Sequence, residues 1–210
     1  MDLTIIEAVL FDMDGTLVDS DAAVERAWRT WAAEYGVDPA AVLAVAHGAP
    51  ARRTVGLVRP DLNEADAAEA AARQLELQYD DLSDVVPTPG AHALLAALRL
   101  PWAIVTSADV RLAKARLGAA DIVAPVLVTV EDVRVGKPGP EGYLRAAELL
   151  GVAPEHCLVV EDAAVGVTAG RAAGAQVAAL KGVEGDLALP DLGTLVRLLA
   201  TRDEAGPRPG

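Results

Sequence analysis

Asp12 and Asp14 stand two residues apart at the end of the apolar run Ala8-Val9-Leu10-Phe11, and Gly15 and Thr16 follow them. If that run is a strand, it delivers two carboxylates to the lip of a sheet, and a glycine directly after them permits the positive φ of a sharp exit loop. One acid can then attack phosphorus while the other moves a proton. The same residues also fit an ordinary Asp-Gly turn with Asp12 capping a helix, so the pair has to be weighed with the rest of the chain.

Three further segments supply groups that phosphate chemistry needs. Trp102-Ala103-Ile104-Val105 is an apolar strand ending in Thr106-Ser107, which offers hydroxyl and backbone donors for phosphate oxygens. Gly136-Lys137-Pro138 puts one lysine in a short loop before a helix, and Cys157-Leu158-Val159-Val160 is a strand ending in Glu161-Asp162. Together with the helix-starting Ala163-Ala164-Val165-Gly166-Val167, these motifs resemble the haloacid dehalogenase-like hydrolase superfamily. Within it the resemblance is closest to small sugar phosphatases and to 2-deoxyglucose-6-phosphate and glycerol-3-phosphate phosphatases. It is carried by Leu17-Val18-Asp19-Ser20, Ala23-Val24-Glu25-Arg26-Ala27-Trp28, the stretch from Pro101 to Ser107, and the stretch from Gly136 to Leu144.

That resemblance implies hydrolysis of a small sugar or polyol phosphate monoester through an aspartyl phosphate on Asp12. Asp14 would protonate the departing oxygen and then deprotonate the attacking water. An anionic Asp12 repels a phosphate dianion unless positive charge intervenes. Mg2+ is therefore expected, held by Asp12, the Asp14 main-chain carbonyl and Asp162, with Glu161 binding directly or through water. Glu161-Asp162 also fits the N-cap of the next helix, a role Asp162 can combine with metal binding. Lys137 is expected beside Asp12 and the phosphoryl group, and Thr106 to donate its hydroxyl to phosphate with the Ser107 and Ala108 amides nearby. Ala108 stands where close relatives commonly carry glycine.

Substrate choice is expected in an inserted cap. His47-Gly48 and Arg52-Arg53-Thr54 are its polar candidates, with Arg52 and Arg53 read as substrate contacts and, equally, as solvated surface residues. One rival is a phosphomutase of the β-phosphoglucomutase type. Counting from Asp12, Val24 stands where those enzymes carry a cap histidine, which counts against it. A second rival is a catalytically idle phosphate-binding or interaction module, which the joint presence of Asp12, Asp14, Thr106, Lys137 and Asp162 opposes.

The elements that must position these groups alternate between strands and helices, which predicts an α/β fold: a Rossmann-like, mainly parallel sheet flanked by helices, with the site at the strands' carboxyl ends. Strands are predicted over 8–11, 102–105, 126–128, 157–160 and 176–180. Val24, Ala27, Trp28, Trp31 and Tyr35 recur at helical spacing, with Gly36 placed to end that helix and both tryptophans read as packing. Asp38-Pro39 can open a second helix, and 63–82 reads as a longer one. The core domain is assigned to 1–17 and 87–200, the helical cap to 18–86, and a flexible tail to 201–210. No internal repeat is evident.

Composition agrees with an enzyme acting on small molecules. The chain has 210 residues, a formal charge of -13 and a single Phe, so its core must be built from aliphatics and neither nucleic acid nor an anionic membrane is expected as partner. Its one cysteine, Cys157, opens a strand and reads as a buried hydrophobe. His92 and His156 lack metal-ligand spacing. No secretory pattern or membrane-length apolar run is evident, so the expectation is a cytoplasmic protein, monomeric or weakly dimeric.

Overall fold

Ala8–Phe11 form β1, and every residue in it is buried. Val9 and Phe11 face one apolar cluster and Ala8 and Leu10 another, so the strand is covered on both sides, as its unbroken apolar run requires. The computed structural model describes residues 2–46, 48–79 and 82–204. The further strands are β2 (Val18–Asp19), β3 (Val86–Pro87), β4 (Trp102–Val105), β5 (Leu127–Val128), β6 (Cys157–Glu161), β7 (Gln176–Ala179) and β8 (Leu187–Ala188). The helices are α1 (Asp21–Tyr35), α2 (Pro39–Ala46), α3 (Ala51–Val58), α4 (Glu64–Tyr79), α5 (Ala91–Ala97), α6 (Val110–Ala119), α7 (Glu141–Leu150), α8 (Ala164–Ala172) and α9 (Leu192–Glu204).

The main sheet has the order β5-β4-β1-β6-β7-β8, and its ladders are parallel. The chain adds β4 and β5 on one side of β1 and then crosses to build β6, β7 and β8 on the other. β1 therefore lies at the switch point, where open parallel sheets place their sites. Register sets the site: Phe11 pairs with Ile104 of β4 and Val160 of β6, so Asp12 emerges beside Thr106 and the Glu161-Asp162 pair. α5, α6 and α9 contribute side chains to the cluster on one face, and α7 and α8 to the cluster on the other. Each large aliphatic side chain buried there contributes about 1.5–3 kcal/mol.

Residues of α1 to α4 form a separate cluster around Trp28, Trp31, Val42, Val55 and Ala70. The Trp31 indole donates to the Ala70 carbonyl at 2.8 Å and stacks on Tyr35, which fits the packing role read from spacing. Gly36 ends α1 in the left-handed region, φ 65°, as its position predicts. The antiparallel pair β2–β3 joins the two ends of this helical insert, pairing Val18 with Pro87 and Asp19 with Val86.

The structure departs from the sequence reading in several elements. α3 was unforeseen, as were β2, β3 and β8, which are too short to carry a periodicity. Among the described residues α4 covers Glu64–Tyr79 of the expected 63–82, and Leu82 is not helical; 80 and 81 lie outside the described residues. Helix α9 runs to Glu204, four residues into the segment expected to be a loose tail, because Leu195 and Leu199 anchor it against the sheet; 205–210 lie outside the described residues.

Candidate active site

The carboxyl end of β1 turns sharply through Gly15, at φ 83°, and the turn is closed by the Gly15 amide on the Val18 carbonyl at 2.7 Å. No larger residue fits: a Cβ on Gly15 would lie 2.0 Å from Asp162 Oδ2. Asp12 is buried, and its amide donates to the Val160 carbonyl at 2.9 Å, which ties it to β6.

Lys137 reaches the same point from the loop before α7 and is itself buried. Its ammonium is ion-paired with Asp12 Oδ1 and donates to Glu161 Oε1 at 2.7 Å. Tyr143 of α7 donates its hydroxyl to the same Glu161 oxygen at 2.8 Å, while Glu161 Oε2 accepts the Asp162 and Ala163 amides at 3.0 and 3.1 Å. Glu161 thus ties down the turn before α8 and holds Lys137 at once. The N-cap of α8 is Ala163, with no side-chain hydrogen bond, so neither Glu161 nor Asp162 is the helix cap that the sequence also allowed.

Asp12, Glu161 and Asp162 place a carboxylate oxygen each within 4.8 Å of one another. Burial, with Glu161 and Asp162 beside it, raises Asp12 well above the ordinary aspartate value against the pull of Lys137. Asp162 is raised to about 6 by burial and by Glu161, opposed by Lys181, which pairs with Asp162 Oδ2 at 3.1 Å. Burial alone would lower Lys137, but Asp12 and Glu161 outweigh it and hold the ammonium well above its usual value. Asp12 Oδ2 and Asp162 Oδ1 are buried without a hydrogen-bond partner. Three acids, two orphaned oxygens and hard oxygen donors fit a divalent cation of the magnesium or calcium type.

Asp14 is turned away from that cluster. Its Oδ1 accepts from Ser20 Oγ at 2.6 Å and pairs with Arg116 Nη1 at 2.8 Å, and Arg116 is 2% exposed. Thr106 is buried at the end of β4, and its Oγ1 accepts the Ala108 amide at 3.1 Å. That amide orients the threonine hydroxyl. Ser107 donates its hydroxyl to the Gly48 carbonyl at 3.1 Å, linking the sheet to the helical insert.

One cavity between sheet and insert is lined by Asp12, Asp14, Thr106, Ser107 and Trp28, so this tryptophan faces the site as well as packing. Gln74, Gln78 and Arg116 line it too. Sequence reasoning missed all three. Their signal was polarity on an apolar stripe, since Gln74 and Gln78 share a face of α4 with Ala71 and Leu75, and Arg116 shares a face of α6 with Leu112 and Ala113.

Neither predicted arginine lines the cavity at Asp12 and Thr106. α3 buries Thr54 and Val55, so Arg52 and Arg53 project from its exposed side. Arg52 pairs with Glu64 at 3.1 Å, and Arg53 lines a separate cleft with Asp21, Asp162 and Lys181. His47 lies outside the described residues. His92 contacts the Ala120 carbonyl and His156 contacts Glu7, away from the acids. Among the described residues no helix is long and apolar enough to cross a membrane.

The family described as haloacid dehalogenase-like hydrolase matches residues 6–174. Hexitol phosphatase A of Escherichia coli (strain K12) is 47% identical over 175 residues, covering 81% of this chain and 81% of its own. 2-Deoxyglucose-6-phosphate phosphatase 1 of Saccharomyces cerevisiae is 37% identical over 187 residues, covering 79% and 76%. A solved hydrolase from Pseudomonas syringae superposes with a TM-score of 0.83 at 25% identity, over 92% of this chain and 98% of that one. With acids, lysine and threonine gathered at the sheet's switch point and a family match spanning most of its length, the chain belongs to the haloacid dehalogenase-like hydrolases.

Proposed function

We propose that this hydrolase is a Mg2+-dependent phosphatase of small sugar or polyol phosphate monoesters. The observation that carries the reading is the buried cluster of Asp12, Glu161 and Asp162 with Lys137 set between Asp12 and Glu161. The names of the relatives, which act on hexitol and 2-deoxyglucose phosphates, support the substrate class. The helical insert, residues 18–86, acts as a cap over a core formed by the remainder.

Asp12 attacks phosphorus, its oxygen forming a bond to phosphorus as the bond to the leaving oxygen breaks. Lys137 offsets the charge of Asp12 and of the incoming phosphoryl oxygens. Thr106, oriented by the Ala108 amide, retains a hydroxyl hydrogen to donate to phosphate. Ser107, whose hydroxyl is engaged with Gly48, offers its backbone amide. Asp14 gives a proton to the leaving oxygen and then accepts one from the water that cleaves the aspartyl phosphate. Its contacts with Ser20 and Arg116 both fall on Oδ1, which leaves Oδ2 for that exchange.

A cation would be held by Asp12, Asp162 and the Asp14 main-chain carbonyl, and would supply charge neutralisation and polarisation of a phosphoryl oxygen. Glu161 has its oxygens engaged by Lys137, Tyr143 and two amides, so we assign it to positioning with a metal contact through water. The phosphomutase alternative is opposed by Val24, which lines the cavity and has no proton to exchange.

The test is phosphate release from hexose, deoxyhexose and polyol phosphates with and without magnesium, with β-glucose 1-phosphate included and glucose 6-phosphate monitored. Magnesium-dependent release that Asp12→Asn abolishes in a folded sample is expected. Isomerisation without release would transfer the chain to the mutases, and near-normal turnover by Asp12→Asn would remove Asp12 as nucleophile.

A further inference from the structure

Asp14 stands at one end of a buried polar chain that the proposed chemistry does not use. Arg116 on α6 donates to Asp14 through Nη1 at 2.8 Å and to Gln78 Oε1 through Nη2 at 2.7 Å. Gln78 Nε2 donates in turn to Gln74 Oε1 at 2.7 Å. The order is forced. Arginine has no acceptor, so Gln78 must present its oxygen to it and its nitrogen to Gln74, which answers with its own oxygen. The chain therefore ends on the amide nitrogen of Gln74.

Two donors of this chain remain unmatched. Gln74 is 0% exposed and Arg116 2%, yet Gln74 Nε2 and Arg116 Nε have no hydrogen-bond partner. Both residues line the cavity shared with Asp12, Asp14 and Thr106. Buried donors call for acceptors, and in a binding cavity the ligand supplies them.

We propose that Gln74, Gln78 and Arg116 form the subsite for the hydroxyl groups of the leaving group, and that this subsite selects a neutral polyol or sugar over an ester carrying a second anionic group. The proposal rests on the phosphatase reading for the position of the phosphate. Charge decides the selectivity. Arg116 Nη1 and Nη2 are already engaged by Asp14 Oδ1 and Gln78 Oε1 and the glutamines are uncharged, so a carboxylate entering there would lose its hydration for single donors rather than the paired guanidinium face it needs. Trp28, Leu75 and Leu112 provide an apolar wall for the carbon chain of a polyol.

The test compares binding of glucitol 6-phosphate, hexyl phosphate and 6-phosphogluconate by calorimetry in the Asp12→Asn background, where turnover is stopped. The first should bind at least about tenfold more tightly than either of the others, a difference of about 1.4 kcal/mol. Gln74→Leu, or Gln74→Met should the leucine variant fail to fold, should bring glucitol 6-phosphate to within about twofold of hexyl phosphate. Equal binding of the three esters by the parent, or an equal loss for glucitol 6-phosphate and hexyl phosphate in the variant, overturns the subsite. Phosphate release by the wild-type protein is measured on the same esters. Release without this discrimination rejects the subsite and keeps the phosphatase, whereas discrimination without release from any ester keeps the subsite and rejects the phosphatase.

Discussion

Gly166 sits in the first turn of α8 without a side chain because Glu161 occupies the place one would take: a Cβ there would lie 1.6 Å from Glu161 Oε1. Since that carboxylate holds Lys137, Tyr143 and two amides, a methyl group at 166 acts on the site through Glu161. Gly166→Ala is expected to lower stability by about 3 kcal/mol, the scale of a broken buried ion pair, and to reduce kcat more than it raises KM. Thermal melting and steady-state phosphate release measure both, and wild-type values would show that Glu161 does not position Lys137. Cys157 gives a second expectation. Burial pushes its thiol up to about 11 and it is fully enclosed, so alkylation at pH 8 should be slow in the folded chain and fast in urea. Rapid labelling of the native protein would contradict that burial.

Among the elements, β1, β4, β6 and β7 were legible because each is an apolar run buried on both faces, and a run of that kind leaves few alternatives between turn signals. Asp12, Thr106 and the Glu161-Asp162 pair inherited their placement from those strands, and Lys137 from its loop. The closing pair β2–β3 left no trace, since two residues cannot show an alternation. Gln74 and Gln78 were hidden for a different reason: in an Ala- and Glu-rich helix glutamine reads as a solvated residue, and only the contact between α4 and α6 turns it inward. Tyr79 hydrogen-bonds Asp109, the residue that caps α6, and Arg111 lies over the Tyr79 ring at 4.1 Å, so that contact is held at the end of α4 as well. Gly36, by contrast, is a local signal with a local consequence. Its φ of 65° strains any side chain although nothing lies within 4 Å of its would-be Cβ. Gly36→Ala should destabilise by about 1 kcal/mol, Gly36→Asn by less, with kcat unchanged in both. A neutral alanine variant in denaturant melts would show that the helix end relaxes instead.

At the scale of the whole molecule, the buried acids of the site work against the fold as they ionise, and the sign of that conflict can be worked out. Asp162 is raised from 3.8 to about 6, and Asp12 is raised well above 3.8. An acid raised on folding contributes its full stability below its unfolded value and loses it as pH rises through the folded one, at up to about 1.4 kcal/mol per pH unit for each group. Glu34, Asp61, Asp84 and Glu141 have the opposite sign, held low by Arg73, Arg59, Arg26 and the Arg134 amide, and they lose stability as pH falls below the ordinary carboxylate range. The metal-free protein should therefore be most heat-stable near about pH 4 and weaken as pH rises through about 6. The proposed magnesium would bind the ionised carboxylates, so saturating it should remove that decline and raise Tm most at neutral pH. The acidic surface also repels itself less on acidification, with the chain at -13, so a control must isolate the site. Asp162→Asn changes one charge only. It should flatten the metal-free profile between about pH 4 and pH 6 and lose the response to magnesium, which melting in chelator and in magnesium across pH 4–8 will record. A metal-free Tm that climbs steadily to pH 7, or a magnesium response that survives in Asp162→Asn, would place the cation elsewhere and leave the raised carboxylates without a partner.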